Sequence, residues 1–145
     1  MPVQPLRTDA APPPKVFICR DHALDVVLEP IASQLAAMGV EVVRGPQSVP
    51  GRIIEYRGED LAQFADVDAA MFSSRSRCSR EVMQAAPRLR AIVAPTVGVE
   101  TIDLRAASEL GIIVGNGATP ENAISMAEAA VMFMLVATGL YVGML

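Results

Sequence analysis

The chain carries one histidine, His22, with Asp21 directly before it. A carboxylate that orients an imidazole is half of a general-base arrangement. A lone loop histidine is more often plain exposed surface, and that is the expectation here. No serine sits in a Gly-x-Ser-x-Gly elbow, so a Ser–His hydrolase has no nucleophile in place. Cys19 and Cys78 stand far apart and outside any Cys-x-x-Cys pair, which removes the usual zinc spacing.

Two glycine-bearing stretches remain. Gly115-Asn116-Gly117 follows an apolar run and precedes a helix, the setting of a dinucleotide loop. Its third glycine position holds Pro120, and no acidic residue follows about twenty positions on to meet a ribose. A tight turn that needs glycine torsions is the better reading. Thr96-Val97-Gly98-Val99 is different. Gly98 lets backbone approach a ligand, and successive N–H groups there can form a nest for a carboxylate or phosphate. A strand-to-helix turn without a ligand accounts for the same residues equally well.

These residues need elements to hold them. Lys15 to Cys19 reads as a buried strand. Leu24, Val27, Leu28, Ile31, Leu35 and Met38 recur at helical spacing, and Gly39 supplies a stop. Further strands are expected at Val40 to Val43, Ala69 to Phe72, Leu89 to Ala94 and Ile112 to Val114. Helices are expected at Leu61 to Ala65, Arg80 to Ala86 and Leu104 to Leu110, with a loop from Gly45 to Gly58. Alternation at this pace means βαβ units, a parallel sheet and right-handed crossovers with helices on both faces. The expected fold is flavodoxin-like α/β, with strand order 2-1-3-4-5. Ligands in such sheets bind beyond the carboxyl ends of the strands. The loops there carry Arg20-Asp21-His22, Ser73 to Arg77, Pro95 to Glu100 and Gly115 to Thr119.

Composition agrees with one packed domain. Of 145 residues, 52% are hydrophobic and 19% charged, and the net charge of -4 comes without a basic cluster. Nucleic acid needs a basic face and stacking rings; aromatics are only 4%, so no nucleic-acid partner is expected. The segment from Met1 to Pro14 lacks an apolar run and reads as a flexible tail rather than a secretory signal.

The end of the chain is unusual. Thr119 can cap a helix, Pro120 suits its first position and Glu121 suits its dipole. From Ala129 to Leu145 no residue is charged, so this helix has no polar face to give to water. Its length is at the low edge for a membrane span and Gly139 and Gly143 form a GxxxG pair, but no basic flank follows and the start holds Asn122 and Glu128. It packs either in its own core or, the favoured expectation, against protein outside these residues.

Taken in order, the motifs resemble those of the D-isomer-specific 2-hydroxyacid dehydrogenases. They are Ser74-Arg75-Ser76 with Arg80-Glu81-Val82, Leu89-Arg90-Ala91-Ile92-Val93, Gly98-Val99-Glu100-Thr101-Ile102-Asp103-Leu104, Ala106-Ala107, Gly111-Ile112-Ile113-Val114, Asn116, and Ser125-Met126-Ala127-Glu128. The match runs from about Lys15 to about Ala137. The resemblance implies a flavodoxin-like substrate-binding domain over residues 15–119. A hinge helix over 120–145 would lead to an NAD- or NADP-binding Rossmann domain. That domain would supply the Gly-x-Gly-x-x-Gly loop and the catalytic Arg, Glu and His, and it lies outside these 145 residues. Without it the expectation is no turnover by this chain.

By the same resemblance, Val97 and Gly98 would hold a substrate carboxylate, and Ser74 and Arg75 would border the cleft. Val97 and Ser125 would touch the cofactor. The partner would be a small 2-hydroxy or 2-keto acid, the whole enzyme a cytoplasmic homodimer, and no membrane is involved. Glu100 and Thr101 replace the family's frequent Asp and Asn or His, and Thr96 stands where Gly or Ser is common. Ile124 replaces an Asn that binds formate in formate dehydrogenases, which argues against formate. The alternative is a stand-alone binding domain that dimerises through its bare helix.

Overall fold

A computed structural model describes residues 12–138. Most of the expected tail and the end of the expected helix, including Gly139 and Gly143, lie outside the described residues. Five short strands form one parallel sheet: β1 (Lys15–Ile18), β2 (Glu41–Arg44), β3 (Ala69–Met71), β4 (Ala91–Ala94) and β5 (Ile113–Asn116). Their order is β2-β1-β3-β4-β5, as expected. The helices are α1 (Asp25–Ala37), α2 (Arg80–Gln84), α3 (Leu104–Glu109) and α4 (Pro120–Ala137), with a 3-10 segment at Gly58–Phe64. Gly39 and Gly111 close α1 and α3 with φ of 83° and 70°, a conformation that costs glycine little.

The handedness of the crossovers decides which face each helix covers. The path from β1 to β2 moves one way along the sheet, and every later step moves the other way. Right-handed connections therefore put α1 on one face and the 3-10 segment, α2 and α3 on the opposite face.

That second face holds the core. Phe17 pairs in register with Ala70, and Ala70 with Ile92. Above them Phe17, Tyr56, Phe64 and Phe72 form one aromatic cluster, with Phe17 to Phe64 centroids 4.7 Å apart and Phe17 to Tyr56 5.6 Å apart in a T shape. Val82, Met83, Ala106 and Ala107 close it from α2 and α3.

The α1 face is only half covered. Leu28 is fully buried and its carbonyl accepts a hydrogen bond from Arg44 of β2. Beyond β1 the register lines up Met71, Val93 and Gly115, and beside them Ala69, Ala91 and Ile113. Val93 is 42% and Ile113 74% exposed, so this end of the face has no helix over it among the described residues. Parallel sheets normally bury both faces. The helical stripe read from the sequence is corrected accordingly. Leu28 is buried and Leu24, Ile31 and Leu35 partly so, but Val27 and Met38 face solvent.

The terminal helix α4 buries no residue. Phe133 and Met134 are each 66% exposed, and Ala129 alone is intermediate. Its own sheet does not cover it. No helix among the described residues is long and apolar enough to cross a membrane.

Candidate functional site

Strand order reverses direction between β1 and β3, so the carboxyl ends of these strands flank a switch point, where open α/β sheets place ligands. Asp21 follows β1 and is fully buried. Its Oδ1 accepts the amides of Ala23 at 2.9 Å and Leu24 at 3.3 Å, which starts the turn into α1. Arg75, after β3, donates from Nη1 to Oδ1 at 3.1 Å and Oδ2 at 3.2 Å. Ser73 ties this pair to its neighbours. Its amide donates to Cys19 Sγ, its Oγ accepts the Arg75 amide, and its carbonyl accepts the hydroxyl of buried Thr101 at 3.0 Å. Loops from β1, β3 and β4 are thus fastened together.

The β4 loop is held by its carbonyls. The Thr96 carbonyl accepts the Gly117 amide, Val97 accepts Asn116 Nδ2 at 2.7 Å, and Gly98 accepts the Thr96 hydroxyl. The amides of Val97, Gly98 and Val99 donate to no acceptor among the described residues. Those three N–H groups are left free to donate to a ligand. The Glu100 carboxylate folds against Gly98, where any Cβ would strike it. Gly117 is needed for a different reason: a Cβ there would lie 2.8 Å from the Pro95 carbonyl oxygen. A side chain would therefore push the β4 and β5 loops apart.

Each expected residue has a definite place. Val97 is about half exposed, Gly98 is intermediate, Ser74 is exposed and Arg75 is partly buried, all at the carboxyl edge of the sheet. Ser125 is exposed on α4, beyond β5. Gly115 and Asn116 belong to β5 rather than to the loop after it, because pairing with Val93 and Ala94 continues through them. His22 is exposed, and its Nδ1 lies 2.9 Å from Ser48 Oγ. The Asp21 carboxylate hydrogen-bonds Arg75 and loop amides, so the Asp21–His22 base is not assembled. The surface reading of His22 is the one the structure supports.

Asp21 as a buried anchor, Ser73, Thr101 and Asn116 were not singled out as site residues from sequence. The turn contacts of Asp21 with Ala23 and Leu24, and of Ser73 with Arg75, are local, but the hydrogen bonds that join one loop to another leave no local pattern. Cys78 is no nucleophile at neutral pH, since burial and the nearby Asp103 push its thiol up to about 12.

Burial alone would raise the Asp21 carboxyl, but hydrogen bonds from Ser73, the Ala23 amide and Arg75 outweigh it and hold the pKa below the ordinary 3.8. A depressed folded pKa gives stability that is present above the unfolded value and lost as pH falls through the folded one. The melting temperature should therefore drop as pH is lowered below about 4, with Asp21 protonating. Asp21→Asn should melt lower at neutral pH and lose less on acidification. Parallel melting curves for the two proteins from pH 7 to pH 3 would refute this.

Among the described residues no cluster of His, Cys, Asp and Glu could hold a metal ion. A family model described as D-isomer specific 2-hydroxyacid dehydrogenase, catalytic domain, matches residues 30–138. The D-3-phosphoglycerate dehydrogenase of Synechocystis sp. is 29% identical over 125 residues, 86% of this chain and 22% of that protein. The glyoxylate reductase of Thermococcus kodakarensis is 32% identical over 111 residues, 74% of this chain and 29% of that one. The chain thus spans less than a third of either relative. Among solved structures, NAD-dependent formate dehydrogenase from Staphylococcus aureus in complex with NAD superposes with a TM-score of 0.63 at 26% identity, over 84% of this chain and 38% of that one.

Proposed function

Since the chain belongs to the D-isomer specific 2-hydroxyacid dehydrogenase family, through its catalytic domain, we propose that these 145 residues form the part that holds a small 2-hydroxy or 2-keto acid for hydride exchange with NAD or NADP. The observation that carries this is the run of unpaired amides at Val97, Gly98 and Val99 beside the switch point. Backbone N–H groups fixed in advance take a carboxylate at little reorganisation cost.

The division of labour follows the same reading. Residues 15–119 are the substrate domain, and α4 is the start of a hinge. Ser74 and Arg75 border the acid on the β3 side. Val97 offers an apolar, half-exposed side chain suited to lie against a nicotinamide ring, and Ser125 offers a hydroxyl on α4. The bound cofactor would supply the hydride. The general base and the phosphate-binding loop would come from a nucleotide domain, which these residues do not include. The assembled enzyme would be a homodimer.

Two measurements test this. Oxalate, a stable analogue of a 2-keto acid, should shift the backbone amide signals of Val97, Gly98 and Val99 saturably in a ¹H–¹⁵N spectrum. Shifts confined to scattered surface arginines would overturn the reading. The purified chain should also leave NADH and NADPH unoxidised with glyoxylate, hydroxypyruvate or pyruvate. Turnover would show that the missing machinery is not needed.

A further inference from the structure

Three consecutive carbonyls of the β4 loop are occupied, each by a different donor. Thr96 accepts the Gly117 amide at 3.0 Å, Val97 accepts Asn116 Nδ2 at 2.7 Å and Gly98 accepts the Thr96 hydroxyl at 3.3 Å. No peptide bond among the described residues is cis. In a planar trans peptide the N–H points opposite to the carbonyl of the same plane. A donor on the Thr96 carbonyl therefore sets the Val97 N–H, one on Val97 sets the Gly98 N–H, and one on Gly98 sets the Val99 N–H. These are the three amides with no acceptor among the described residues. The Thr96 and Val97 carbonyls are held by adjacent residues, Gly117 and Asn116, so the Val97 and Gly98 N–H groups both turn away from the end of β5.

Asn116 supplies its donor from a fixed point. Its backbone pairs with Ala94 in the sheet, and Gly117 after it lies against the Pro95 carbonyl as only glycine can. Asn122 Nδ2, from the first turn of α4, donates to the Gly117 carbonyl at 2.9 Å and closes the loop from the other side. Only the side-chain torsions of Asn116 remain free. We infer that Asn116 is a positioning residue: by holding the Val97 carbonyl, it aims the Gly98 N–H at the carboxylate of a 2-hydroxy or 2-keto acid. This rests on the reading above and adds to it a residue that never touches the acid. Without that donor the Val97–Gly98 peptide is free to rotate, and its N–H has to be reoriented when the anion binds. An asparagine that only stiffened the turn would fasten the loop as a whole and single out no amide.

The test titrates oxalate into the full chain and two variants, and follows the amide signals of Val97, Gly98 and Val99 one by one. In the unaltered chain all three should move saturably. Asn116→Ala removes the donor on Val97 and introduces no charge. Its Gly98 signal should lose most of the oxalate shift, while Val97, still set through Gly117, keeps its own. Oxalate affinity should fall about ten-fold, as the loss of one hydrogen bond to a charged group implies. Thr96→Val removes the donor on Gly98, and should quiet Val99 while sparing Gly98. An equal loss at all three amides in both variants would make these side chains plain loop fasteners and overturns the inference. So does a Gly98 response that survives Asn116→Ala.

Should Asn116→Ala not fold, the carboxamide of the unaltered chain decides. An anion on the Gly98 N–H polarises that peptide and strengthens the hydrogen bond on the Val97 carbonyl. Oxalate should therefore slow the exchange of the Asn116 carboxamide protons with water, and exchange that oxalate leaves untouched sinks the inference. Failure of the one-to-one pattern, with amides that still respond in the unaltered chain, spares the proposed function. Amides silent in the unaltered chain sink both.

Discussion

Phe17→Ala should destabilise the domain by about 3–5 kcal/mol, the usual cost of removing a buried aromatic ring from a packed core. Phe17 is 0% exposed and lies on a central strand. Its ring meets Tyr56, Phe64 and Phe72 at 5.6, 4.7 and 5.3 Å. No neighbour can collapse into the gap easily, because all three partners are large and sit on different segments. A domain of this size is stable by roughly 5–15 kcal/mol, so the variant would stand near unfolding at physiological temperature. Urea denaturation checks it. A loss under about 1 kcal/mol would mean that the cluster relaxes around the hole, contrary to close packing.

Removing residues 120–145 should do the opposite. α4 buries none of its own residues, so its loss should change the unfolding free energy of the remaining domain by less than about 0.5 kcal/mol. It should, however, transform association. Phe133, Met134, Val131 and Ile124 are each more than half exposed, an apolar surface that soluble monomers rarely present. The full chain should bind a hydrophobic dye and sediment as more than a monomer, while residues 1–119 should bind little dye and remain monomeric. A clean dimer of the full chain would favour the stand-alone reading, and mixed larger species a helix that awaits its partner domain. A monomeric, dye-silent full chain would show that α4 is covered after all.

The fold was largely legible because its signals are periodic. Apolar runs, glycine stops and their alternation mark which segments are strands and helices, and the flavodoxin-like strand order then follows from the fold class that this alternation implies. Where the reading slipped, the deciding partner was remote. Val27 fits the helical stripe of α1, but periodicity does not say how far the sheet beneath is covered, and Val27 is 51% exposed. β5 runs on to Asn116 because β4 offers Val93 and Ala94 for pairing, which residues 112–116 alone do not reveal. In the site, glycine and loop position pointed to Val97 and Gly98. Asp21 drew notice for its neighbour His22, yet its charged partner is Arg75, 54 positions away. Sequence adjacency suggested a base, whereas spatial adjacency makes an anchor.

The half-dressed sheet has a kinetic consequence. Among the described residues β5 is hydrogen-bonded to one neighbour only, and Ile113 stands open to water on the part of the α1 face that α1 does not reach. Opening this edge uncovers little more apolar surface than is already uncovered, so its free-energy cost is low compared with that of β1. Backbone protons of Ile113–Asn116 should therefore trade for deuterium well before those of Phe17 and Ile18, and any molecule that settles over Ile113 and Val93 should slow that trade first.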